Sequence, residues 1–129
     1  MKPLALVADD YAGITQQLRS ALEHSGFEVI TAEDGQEALD KFKEERRTFA
    51  LIVVDYMMPR VKGDAVIGAI KAYLDERNQP APKMFLLTGS DDSNMIARAR
   101  ATGLAEILLK PDGIISLLDR IQGKPLLAA

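Results

Sequence analysis

LIVVDYMMP, residues 51–59, runs four apolar residues straight into a carboxylate, Asp55, then into an aromatic, two methionines and a proline. An apolar run without alternation is the mark of a strand covered on both faces, the condition of a parallel sheet with helices above and below. The pattern recurs at LALVA (4–8), ALIVV (50–54), MFLLT (84–88) and EILL (106–109). Helix-period segments separate these runs. GITQQLRSALEHSG places Ile14, Leu18, Ala21 and Leu22 at helical spacing with Gly26 as a stop, and QEALDKFKEERR follows a turn at Asp34-Gly35. FEVITA (27–32) alternates imperfectly, as an edge strand does. Five strands alternating with five helices, without an internal repeat, predict a doubly wound α/β domain: a five-stranded parallel sheet with helices on both faces.

Composition narrows the possible functions. With 129 residues the chain has the size of one domain, and 47% apolar against 27% charged residues is the balance of an ordinary globule. Sixteen basic and nineteen acidic side chains leave a net charge of −3, with no dense Lys/Arg stripe, so direct nucleic-acid binding is not expected. There is no cysteine, and the single His24 cannot build a His-rich metal site. No segment is long enough to span a bilayer or to serve as a signal peptide, so no membrane contact is expected and a reducing cytoplasm fits best.

The strand ends carry the chemistry. The first run stops at Asp9-Asp10, the third at Asp55, the fourth at Thr88 and the fifth at Lys110-Pro111. In open parallel sheets ligands bind outside the carboxyl ends of the strands, where strand order reverses. If the order is 2-1-3-4-5, strands one and three are neighbours, and Asp9, Asp10 and Asp55 meet in one acidic pocket flanked by Thr88 and Lys110. Three converging carboxylates repel one another unless a hard cation shares them, and Mg²⁺ takes oxygen ligands while keeping places for water and phosphate oxygens. Lys110 can then hold a phosphoryl oxygen and the Thr88 hydroxyl can donate to another. Asp55, alone at its strand end, is the best-placed nucleophile toward phosphorus, with Asp9 and Asp10 on the metal.

ADD after the first strand, GFEVITAEDGQEAL, LIVVDYMMPRVKG, LLTG and LLKP, in this order and spacing, resemble the receiver domain of two-component response regulators over residues 4–122. The resemblance implies a receiver domain over 1–122 followed by a tail, 123–129. It implies Asp55 as phosphoacceptor, Asp9 and Asp10 as the acidic pair, the backbone carbonyl of Met57 as a further Mg²⁺ ligand, Thr88 as the switch hydroxyl and Lys110 as the phosphoryl-binding cation. The peptide before Pro111 is cis in that family. The implied donor is a phosphohistidine on a sensor histidine kinase or histidine phosphotransfer protein. The implied output is protein contact through the fourth helix, fifth strand and fifth helix, by a monomer or a weak phosphorylation-dependent dimer. The module is then either a stand-alone receiver or the amino-terminal piece of something longer.

This chain also departs from the family. Ile107 stands where an aromatic residue three before the lysine usually reports phosphorylation, Asp112-Gly113 follows Lys-Pro in place of Phe, and the last helix, IISLLDRI, is short. Met57 and Ser90 offer no extra group to position water, so slow self-dephosphorylation is expected. A haloacid-dehalogenase-type phosphatase would need a second Asp where Met57 stands, and a flavodoxin-like phosphate loop would be repelled by ADDYAG. A non-phosphorylated interaction module is the alternative. Taken singly, Asp9-Asp10 read as acidic residues at a helix start, Met57, Met58 and Pro59 as loop packing, His24 as a surface residue near a helix end, and Arg98 and Arg100 as a solvated helix face.

Overall fold

The apolar runs become strands and the periodic segments become helices, in strict alternation: β1 (Leu4–Ala8), α1 (Ala12–His24), β2 (Glu28–Ala32), α2 (Gly35–Glu44), β3 (Phe49–Asp55), α3 (Gly63–Glu76), β4 (Lys83–Thr88), α4 (Ser93–Ala101) and β5 (Glu106–Leu109). The computed structural model describes residues 2–89, 93–101, 103, 105–109, 116, 117 and 119. All five strands are parallel, in the order β2-β1-β3-β4-β5. Ser116, Leu117 and Asp119, inside the expected last helix, are helical, and the rest of IISLLDRI and the 123–129 tail lie outside the described residues. No helix among the described residues is long and apolar enough to cross a membrane.

Alternate residues of each strand feed two separate cores. Leu6, Ala8, Ile52, Val54, Met84 and Leu86 face α2 and α3 and pack on Ala38, Phe42, Val66, Ile67 and Ile70. Ala5, Val7, Val53, Phe85 and Leu87 face the other way, onto Leu18 and Leu22 of α1 and onto Leu117. Both faces of β1, β3 and β4 are therefore buried, which is why their sequences do not alternate. β2, at the edge, keeps the mixed burial its imperfect alternation predicted.

The end signals act as their chemistry requires. Asp34 caps α2, its Oδ1 accepting the Glu37 N–H at 2.8 Å. Gly26, at φ 100°, ends α1 in the left-handed conformation, with the Phe27 N–H closing onto Leu22 O at 3.0 Å. His24 is the last residue of α1 and exposed, as expected.

β3 differs from the expected ALIVV in a useful way. The pairing of β1 with β3 jumps from Leu4↔Phe49 to Ala5↔Leu51, so Ala50 is an unpaired bulge residue and is exposed. The extra residue reverses which face Phe49 presents. Phe49 accordingly joins the α2/α3 core and stacks on Phe42 at 5.4 Å between ring centroids.

Leu18 is fully buried between α1 and the sheet, whereas Gln17 beside it is exposed. Leu18→Ala is expected to lower unfolding free energy in urea by about 2–5 kcal/mol, and Gln17→Ala to change it by less than about 0.5 kcal/mol.

Candidate functional site

The register of β1 against β3 builds the acidic site. Ala8 pairs with Val54, so the next residues, Asp9 and Asp55, leave the sheet side by side at its carboxyl edge. One carboxylate oxygen from each of Asp9, Asp10 and Asp55 lies within 4.8 Å of the others. Asp9 and Asp55 are buried, at 2% and 5% exposure, while Asp10 faces solvent. The predicted convergence is thus present.

Asp9 is fixed from several sides. Its N–H donates to Ala32 O at 3.1 Å, its Oδ1 accepts the Tyr11 N–H at 2.9 Å, and its carbonyl accepts Thr15 Oγ1 at 3.1 Å. The reading of Asp9-Asp10 as acidic residues of a helix start is met only in part: both precede α1, whose first turn holds no acidic residue, and the Asp9 carboxylate accepts the N–H of Tyr11, the N-cap, which has no side-chain cap bond. Thr88, fully buried, ends β4 one residue beyond Leu87, the register partner of Asp55. The Tyr56 N–H continues that ladder onto Leu87 O at 2.8 Å. Lys110, Pro111, Ser90, Asp112 and Gly113 lie outside the described residues.

The loop after Asp55 is pinned at both ends. Gly63 N–H donates to Tyr56 O at 2.9 Å, and a Cβ at Gly63 would stand 2.3 Å from the Asp55 carbonyl oxygen. A Cβ at Gly35 would stand 2.1 Å from Val61 O, so the start of α2 also presses on this loop. Arg60 takes φ 70°, a left-handed conformation unusual for a side-chain-bearing residue, and its Nη2 lies 3.4 Å from Asp34 Oδ2. Asp34 and Arg60 escaped the sequence reading as parts of the site's support. The Asp34-x-x-Glu37 capping spacing is a sequence signal for Asp34 alone.

The loop-packing expectation for Met57 and Met58 holds for one of them. Met58 is buried at 7% exposure in the α2/α3 core, but Met57 is 56% exposed. Lys62 Nζ donates to Met57 Sδ at 3.7 Å and lies 5.4 Å from the Tyr56 ring centroid. Ile107, in the family's usual aromatic position, is buried at 8% and joins the core with Leu86, its register partner.

Three carboxylate oxygens brought together form a hard donor set, which suits a hard divalent cation and not a soft transition metal. Such an ion offsets the repulsion while the carboxylates leave part of its coordination open.

Comparison with known proteins agrees with this geometry. A family model described as the response regulator receiver domain matches residues 5–122. The transcriptional regulatory protein PrrA of Mycobacterium tuberculosis is 34% identical over 120 residues, 93% of this chain and 48% of its own length. The chain thus spans about half the length of the curated relatives it matches. Among solved structures, the chemotaxis response regulator CheY4 of Vibrio cholerae superposes with a TM-score of 0.76 at 28% identity, covering 94% of this chain and 99% of its own. The receiver domain of Francisella response regulator 1452 gives 0.74 at 28% identity, covering 92% and 93%.

Two outcomes follow from the crowded carboxylates and the close loop. Without metal, Asp55→Asn removes a buried like charge and is expected to raise the thermal midpoint. Millimolar Mg²⁺ is expected to raise the parent's midpoint and to raise that of the variant less, both read by thermal unfolding with and without EDTA. Gly63→Ala is expected to destabilise by about 1–3 kcal/mol in urea. Gly68→Ala in the same helix, where a Cβ meets nothing within 4 Å, is expected to stabilise by about 0.5–1 kcal/mol.

Proposed function

Because the chain belongs to the response regulator receiver domain family, we propose that it works as a two-component phosphoacceptor whose Asp55 takes the phosphoryl group of a phosphohistidine. The observation that carries this reading is the convergence of Asp9, Asp10 and Asp55 within 4.8 Å at the ends of adjacent strands. The donor is a sensor histidine kinase or a histidine phosphotransfer protein. The module is a signalling element and not a classical enzyme, and the setting is cytoplasmic.

Asp55, oriented by the β3 ladder and by the pinned Tyr56–Gly63 loop, presents a carboxylate oxygen in line with the phosphorus. As the O–P bond forms, the P–N bond to the donor imidazole breaks, and the nitrogen leaves with the electron pair and is protonated. Asp9, Asp10, Asp55 and the Met57 carbonyl would hold a Mg²⁺ ion. When bound, that ion supplies positive charge against the equatorial phosphoryl oxygens. Lys110, just past β5, is assigned to another of those oxygens, and the Thr88 hydroxyl to a third.

The exposed Met57 side chain brings no polar group to orient a hydrolytic water, which favours slow loss of the phosphoryl group. Output runs from Thr88 to α4 and β5. Buried Ile107 has no ring to rotate, so the response is assigned to α4, whose Ile96 and Ala99 pack against the same core as Ile107.

Incubation with acetyl phosphate and Mg²⁺ is expected to add the mass of one phosphoryl group to the parent chain. Asp55→Asn, or addition of EDTA, is expected to abolish the gain. No gain in the parent, or an equal gain in the variant, would sink the assignment.

A further inference from the structure

The bulge at Ala50 has a second effect, at the end of β3 farthest from Asp55 and about 20 Å away along the strand. There α2, the loop into β3, the end of α3 and the loop into β4 enclose a cleft of about 390 Å³. That volume falls in the range of small-molecule sites, roughly 300–1,000 Å³. Its floor is aromatic: Phe49 stacks on Phe42 at 5.4 Å, and Tyr73 meets Phe42 edge-on at 5.7 Å.

The walls are cationic. Lys43, Arg46, Arg47 and Arg77 line the cleft against a single carboxylate, Glu45, in a chain whose net charge is −3. Arg47 is already neutralised, 2.7 Å from Glu45 and 2.9 Å from Glu28, and its hydrogen bonds hold both carboxyls below the usual carboxylate range. The other three cations are differently placed. Arg77 lays its guanidinium 3.5 Å above the Tyr73 ring, donates from Nη1 to Tyr73 O at 3.1 Å and stays 45% exposed. Its ion pair with Glu76 is long, at 3.8 Å, and lies in solvent, where such pairs contribute little. Lys43 Nζ lies 5.8 Å from the same ring. Among the described residues, neither Lys43 nor Arg46 has a carboxylate within ion-pair distance.

A guanidinium whose Cζ lies 3.5 Å from a ring centroid is a planar cation that can also stack on a second flat group, as arginine does toward nucleobases. Two uncompensated cations beside it suit a phosphate. We infer that this cleft binds a nucleoside monophosphate, its base stacked on Arg77 and its phosphate held by Arg46 and Lys43. A bare phosphate would leave the ring-backed guanidinium of Arg77 unused. The inference is independent of the phosphoacceptor reading, since none of these side chains belongs to the acidic site.

The test titrates the full chain with AMP and with GMP, followed by amide NMR and calorimetry, beside inorganic phosphate and adenosine as the two halves of the ligand. Saturable sub-millimolar binding of at least one nucleotide, with shifts centred on Thr48, Tyr73 and Gln79, is expected, and each half alone should bind about tenfold more weakly or worse. Arg46→Glu and Arg77→Ala should each weaken binding by about tenfold or more. Arg46 is exposed and outside any element, so Arg46→Glu keeps the test valid if Arg77→Ala perturbs α3. No saturation by either nucleotide, undiminished affinity in Arg46→Glu, or phosphate alone binding as tightly as the nucleotide would overturn the inference.

Discussion

Asp9 and Asp55 are carried to one edge of the sheet by neighbouring strands in fixed register, and their carboxylates, with that of Asp10, are held within 4.8 Å. Carboxylate charges brought that close repel one another. The fold imposes this repulsion because β1 and β3 are buried on both faces and cannot slip: a shift of one residue would send every apolar side chain to the opposite core. The apolar cores thus hold in place a charge cluster that would otherwise disperse. A hard divalent cation placed among these three carboxylates would relieve the cluster.

The loop behind Asp55 shows how the position is kept. One carboxylate, Asp34, does two jobs, its Oδ1 capping α2 at the Glu37 N–H and its Oδ2 pairing with Arg60. Arg60 needs the restraint, since left-handed backbone at a non-glycine residue costs about 1 kcal/mol or more. Gly35 and Gly63 allow backbone to approach backbone more closely than any side chain would permit. The start of α2, the loop and the start of α3 are therefore one packed unit around the carbonyl of Asp55.

Much of this could be read from residues alone, and the places where it could not have physical reasons. β1 occupies the very run LALVA, because a strand buried on both faces is written as uninterrupted apolar residues, and β5 occupies EILL although, as an edge strand, it leaves Leu109 exposed. β3 starts one residue earlier than ALIVV suggests, since a bulge leaves no compositional trace and Phe49 reads as loop until its partner Phe42 is known. The helix expected to run through Glu44-Glu45-Arg46-Arg47 stops at Glu44, and Glu45 turns back to Arg47, a local ion pair that helical periodicity does not register. Asp9, Asp10, Asp55 and Thr88 were identifiable as polar ends of apolar runs, and the parallel register explains why such ends meet. The capping role of Asp34 is legible in its spacing to Glu37, but its pairing with Arg60 depends on the left-handed loop conformation at Arg60 and not on a pattern. Lys110, expected to face the same site, lies outside the described residues.

A crystal structure of the chain grown with Mg²⁺ and beryllium trifluoride, an aspartyl-phosphate mimic, tests the central claim most directly. The account predicts beryllium on a carboxylate oxygen of Asp55 and one Mg²⁺ ligated by oxygens of the Asp9, Asp10 and Asp55 cluster at about 2.0–2.1 Å. Beryllium trifluoride on another residue, or Mg²⁺ bound away from these three carboxylates, would contradict it.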